Sequence, residues 1–131
     1  MTNLLCSVAV WVLAAGQEID YERVILPILS DNCYYCHGPD AKRREAGLRL
    51  DEESAAKRKN PEGVAAIVPG RSSESDLVRR ILSKDRDELM PPPKSNKKLT
   101  REQAALLKKW IDGGAKWGEH WAFSPLRKPP L

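Results

Sequence analysis

Aromatic side chains are scarce in this 131-residue chain, at 6%, with a single Phe, and hydrophobic residues reach only 41%. Such a composition leaves little material for a large apolar core, and the length allows one domain. Three cysteines are too few for the framework of a disulfide-rich secreted domain. No basic run is interleaved with stacking aromatics, and the net charge of +4 is mild, so nucleic acid is not an indicated partner. No apolar stretch approaches the ~20 residues that a membrane-spanning helix requires. Nor does any pair of segments alternate as paired strands would. A small core with few cysteines usually draws stability from elsewhere, such as a metal or cofactor.

The segments that are present have distinct characters. Met1 to Gly16 carries no charged side chain, and Leu4 to Ala15 is apolar apart from Cys6 and Ser7. Ala14-Ala15-Gly16 then offers the small residues that a signal peptidase reads, before polar Gln17-Glu18. Residues 1–16 are therefore read as a cleaved export signal, which leaves Cys33 and Cys36 as the only cysteines of the mature chain. No stable membrane span remains after cleavage.

Beyond the signal the pattern is helical. Asp20 caps an expected helix over Tyr21–Asn32, kinked at Pro27. Residues 51–59 place acids first and bases last around Ala55 and Ala56, as a short surface helix would. Ser73 precedes an apolar stripe of Leu77, Val78, Ile81 and Leu82, and Thr100 with Gln103 forms a capping box that opens a helix to Asp112. Gly113-Gly114 ends it. Residues 17–115 are thus read as one domain. Residues 116–131, aromatic and then proline-rich, are read as a linker to a downstream domain absent from this chain.

The chemistry lies in Cys33-Tyr34-Tyr35-Cys36-His37, a C-x-x-C-H motif of the kind to which c-type haem is attached. Two thiols separated by two residues can bond the two vinyl-derived carbons on one side of a porphyrin, and the next residue is placed beneath the iron. A disulfide pair would want a βαβ context that is missing, and a zinc site would want four ligands, for which Cys33, Cys36, His37 and His120 are the only Cys and His candidates, with His37 poorly placed beside Cys36. For the sixth iron ligand, Met90 is the only methionine after the signal, and it precedes three prolines that restrict it to extended backbone. His120 is the rival. His/Met ligation raises the reduction potential and leaves no open iron position, which favours electron transfer over catalysis.

Asn32 to Gly38, Gly47-Leu48-Arg49-Leu50-Asp51, Ile67-Val68-Pro69-Gly70, Met90-Pro91-Pro92 and Leu106 to Ala115 together resemble the planctomycete cytochrome c domain, over about residues 19 to 117. The resemblance implies an all-α, class I cytochrome c-like fold in which the Tyr21–Asn32 helix crosses the Thr100–Asp112 helix around one covalently attached haem c. It implies thioether attachment at Cys33 and Cys36, iron ligation by His37 and Met90, and an exported, periplasmic or cell-envelope location. The domain would be a one-electron carrier and not itself an enzyme; a haem-dependent, peroxidase-like redox domain of a larger exported protein is the alternative function. Pro69 O is the expected acceptor for His37 Nδ1–H. Trp110 is expected at the helix crossing, with haem contact as the alternative. Lys42-Arg43-Arg44 and Lys94, Lys97 and Lys98 are expected to ring the haem edge and steer an acidic redox partner, with ordinary solubilising charge as the alternative.

Overall fold

Asp20 opens the first helical segment as expected: its Oδ1 accepts the N–H of Arg23 at 3.1 Å. Pro27 sets the course of the chain beyond that turn. It cannot donate to the carbonyl four residues back, and its ring crowds that carbonyl. In this computed structural model, which describes residues 17–118, the chain responds with a π-helical turn, Tyr21–Ile25, closed by Leu26 N–H donating to Tyr21 O. Helix α1, Leu26–Asn32, begins only there, with Pro27 in its first turn. The expected kink is thus a change of helix type.

The C-x-x-C-H motif is itself helical. Cys33 N–H donates to Leu29 O at 2.8 Å and His37 N–H to Cys33 O at 2.8 Å, so α2, Tyr34–His37, continues directly from α1. Helix α3, Glu53–Lys57, has Glu53 paired with Lys57 one turn later. It is more than a surface helix, because Ala56 is fully buried and its carbonyl accepts the N–H of Ile67 at 3.0 Å.

Ser73 does not cap the next helix. A 3-10 turn, Ser72–Glu74, intervenes before α4, Asp76–Ile81, and the buried hydroxyl is that of Ser75. That hydroxyl accepts from Val68 N–H at 2.9 Å and donates to Arg71 O at 3.0 Å, which fastens the turn rather than the helix. Helix α5, Arg101–Asp112, has the full capping box: Gln103 N–H donates to Thr100 Oγ1 at 3.1 Å, and Thr100 N–H to Gln103 Oε1 at 2.9 Å.

Among the described residues there is no strand, only one isolated bridge between Lys59 and Ala65. The fold is all-α, as expected. Helix α5 packs against the π turn and α4, and Ile25, Leu29, Ile67, Leu107 and Ile111 are fully buried around that junction. Trp110, 3% exposed, sits at the crossing with its ring 5.7 Å from that of Tyr21. The chain's own side chains thus form a contiguous apolar cluster at that crossing. Trp117, assigned from the sequence to a linker, stacks 4.8 Å from Tyr21, and Lys116 O accepts the indole N–H of Trp110 at 2.8 Å. The packed body therefore extends at least to Trp117. The signal segment 1–16 and the linker from 119 onward, including His120, lie outside the described residues.

Candidate cofactor site

An open cleft of about 1580 Å³ lies beside the core and shares Leu50 and Leu77 with it. Cys33, Cys36, His37 and Met90 all line it. Ordinary small-molecule pockets run to ~300–1,000 Å³, so this cleft suits a larger, flat group.

Each of the four residues has a local reason to be there. Because α2 follows α1 across the single non-helical residue Cys33, with His37 N–H donating back to Cys33 O, the two thiols stand about one turn apart and His37 follows on the same turn. Both cysteines are free thiols. Burial, with the neighbouring Cys36 contributing next, pushes the Cys33 thiol up to about 12, so it stays protonated at neutral pH.

His37 is held from behind by residues 45–50. Glu45 N–H donates to Cys36 O at 2.9 Å, and Leu50 N–H donates to His37 O at 2.7 Å. Between them Ala46 and Gly47 both adopt positive φ, 52° and 63°, which turns the chain back on the motif. Burial lowers the imidazole pKa, outweighing the carbonyls of Leu48 and Glu45 that favour the charged ring. The ring is thus kept neutral, the form that has a lone pair to give a metal.

The expected acceptor for the imidazole does not take that role. His37 Nδ1 is buried without a hydrogen bond, so Pro69 O does not accept from it. Pro69 sits in an exposed turn whose next residue, Gly70, donates to Ile111 O on α5, and this ties the turn to the far side of the core. The carbonyls acting on the ring belong to Leu48 and Glu45.

Met90 comes from the long segment after α4. Its N–H donates to Arg80 O at 3.2 Å, and the Met90–Pro91 peptide is cis. Pro92 is extended, as the proline run implies, but Pro93 already begins a 3-10 turn, Pro93–Ser95. The thioether-bearing residue is half-buried at the cleft wall.

The charged residues distribute differently from the expectation. Lys94 and Lys97 line the cleft, together with Arg58, Lys59 and Arg86, which sequence reasoning had not singled out. Lys98 does not line it, nor does the 42–44 triplet. Arg43 lies 4.8 Å over the Tyr35 ring, and Arg44 donates to Pro39 O at 3.1 Å. Those two arginines close the loop after the motif and do not ring the cleft. Trp110 is not among the cleft residues and packs instead against Tyr21 and Trp117.

The donor set fits a covalently held haem: two thiols, a neutral imidazole and a thioether on one cleft wide enough for a macrocycle. Among the described residues no three His, Cys, Asp or Glu side chains gather as a metal site, so a zinc module has no ligand set there. Helical fold and site together have the layout of a c-type cytochrome. The family model described as planctomycete cytochrome C matches residues 33–94, a span that takes in all four cleft residues. Over that span the resemblance read from the sequence is shown. Comparison with curated proteins and with solved structures returns no match.

Proposed function

We propose that the protein is an exported c-type cytochrome that carries single electrons on one haem c. Cys33 and Cys36 would hold the haem through thioethers, with His37 and Met90 as its axial ligands. One observation carries this reading: a single cleft is lined by the C-x-x-C-H triad and by Met90, which lies 53 residues further along the chain. When bound, the haem supplies one-electron exchange at iron, and His/Met ligation leaves it no open position for substrate. The chain's own part is to present a neutral imidazole, to hold Met90 against α4 through Arg80 O, and to exclude water with Leu50, Leu77 and Ile81.

Cations at the cleft mouth support an acidic redox partner, whether a separate protein or a downstream domain of the same polypeptide. Arg58, Lys59, Arg86, Lys94 and Lys97 line the cleft, against Glu45, Asp87 and the arginine-paired Asp76. Export to the periplasm or cell envelope is supported by the apolar N-terminus and by the family; no described helix is long and apolar enough to cross a membrane.

Expression in a host that matures c-type haem tests the reading. A Soret band should survive acid-acetone extraction, and the ferric protein should show the weak long-wavelength band of sulfur-ligated iron. Met90→Ala should keep the haem covalently attached, lose that band and lower the potential. His120→Ala should change neither spectrum nor potential. If Met90→Ala kept the wild-type low-spin spectrum while His120→Ala lost it, the ligation would be bis-His and the high-potential carrier role would be wrong.

A further inference from the structure

The Met90 segment is fastened to the rest of the protein at few points. Apart from a small turn at Ser83–Asp85, two polar contacts join residues 84–99 to the chain before them, among the described residues. One is Met90 N–H to Arg80 O at 3.2 Å. The other is Arg79 Nη1 to Glu88 Oε2 at 2.8 Å, two residues before Met90. Both contacts reach neighbouring residues of α4, and both of those residues are clamped by one carboxylate. Asp76 takes Arg79 Nε on Oδ1 at 2.7 Å and Arg80 Nε on Oδ2 at 2.8 Å.

We infer that Arg79 is a positioning residue for Met90. Oriented by Asp76, its guanidinium holds Glu88 and so keeps the methionine thioether at the cleft wall. The inference rests on the reading of Met90 as the distal iron ligand. Two nitrogens of one rigid guanidinium serve two elements here, Nε toward the first turn of α4 and Nη1 toward the loop. A lysine offers one charge centre and cannot span both. Arg79 and Glu88 are each about half exposed, at 48% and 47%, so the pair is screened by salt and its loss should shift a loop equilibrium only severalfold.

Imidazole titration of the ferric holoprotein reads that equilibrium, because imidazole binds only when Met90 leaves the iron. Arg79→Gln and Glu88→Gln should each tighten imidazole binding severalfold and bleach the sulfur-ligation band at lower imidazole, with haem content and helical circular dichroism unchanged. The double variant should add little to either single one, since both remove the same contact. Added salt should tighten binding in the wild type and have less effect in Arg79→Gln. Arg79→Lys should recover only part of the wild-type resistance. Arg71→Gln, which breaks an exposed pair with Glu74 away from the loop, serves as the control and should match wild type.

The inference is overturned if the wild type shows the sulfur band but Arg79→Gln and Glu88→Gln bind imidazole as it does; Met90 would then still be the ligand. If the wild type lacks that band, or Met90→Ala binds imidazole no more tightly than wild type, the ligand assignment fails and the positioning role falls with it.

Discussion

Replacing Gly38 by alanine should damage the turn of the C-x-x-C-H motif more than any neighbouring glycine change. Gly38 is buried immediately after His37, and its φ of −118° is open to any residue, so the difficulty is one of space. A Cβ there would lie 2.3 Å from Tyr34 O and 3.0 Å from Tyr34 C and Cβ. The first distance falls 0.7 Å short of the 3.0 Å that real Cβ atoms keep, and the obstacle is backbone that cannot swing aside. Tyr34 stands between Cys33 and Cys36, so relief must come by opening the turn that spaces the two thiols. Overpacking of this kind costs about 1–3 kcal/mol. At ~4–8 °C per kcal/mol for a domain of this size, the melting temperature should fall by roughly 5–20 °C. The internal control is Gly113→Ala, where the nearest atom, Lys109 O, lies at 3.4 Å and φ is −76°. Thermal unfolding of the haem-loaded protein by circular dichroism gives the comparison, and the haem content per chain from a maturing host reports on the motif itself. A Gly38→Ala protein that melts with Gly113→Ala and carries full haem would refute the steric argument.

Two further substitutions probe the frame around the site. Asp112, at the end of α5, accepts the N–H of Ser72 at 2.9 Å, and hydrogen bonding from Ser72, with Lys108 nearby, holds its carboxyl below the ordinary value. A depressed folded pKa stabilises the protein above the unfolded pKa, and that contribution is lost as pH falls through the folded one. Urea unfolding should therefore show stability declining as the solution is acidified through the ordinary Asp range and below, and Asp112→Asn should flatten that decline; an unchanged pH slope would remove the role. Thr100→Ala takes away the side-chain acceptor of the α5 capping box and should cost about 1 kcal/mol, read as a lower urea midpoint at unchanged slope.

The features legible in advance were chemistry carried by rare side chains at fixed spacing, and structure determined by neighbours in sequence. Cys33, Cys36 and His37 announce themselves, and Met90 joins them because no other methionine remains after the signal. The Thr100–Gln103 box and the disturbance at Pro27 are local effects, hence legible, although the π turn that resolves the latter depends on how Tyr21 packs. The misses share a different cause. The influence of Leu48 and Glu45 on the His37 pKa comes from main-chain groups beside the positive-φ pair Ala46 and Gly47, and no side-chain pattern marks them. Ser75 looks like any helix-leading serine until burial makes its hydroxyl a tie between two turns. Arg58 and Lys59 belong to a run that reads as the basic end of a helix, and only the folding of residues 60–66 back over them places them on the cleft. Trp117 was separated from Tyr21 by nearly the whole domain, so sequence adjacency assigned it to the linker.

That contact between Trp117 and Tyr21 also brings the two ends of the described body together. Lys116 Nζ lies 3.1 Å from Glu18 Oε1, and Gly118 fits against Glu22 and Tyr21 so closely that a Cβ would come within 2.8 Å of Glu22 Cγ. The two ends of the described body, residues 17–22 and 116–118, therefore lie side by side, and none of Glu18, Tyr21, Glu22 or Lys116 lines the cleft. A circular permutant that joins residues 118 and 17 through a few glycines and opens the chain in the exposed turn at Ala41–Lys42, which does not line the cleft, should accordingly keep both the fold and the cleft.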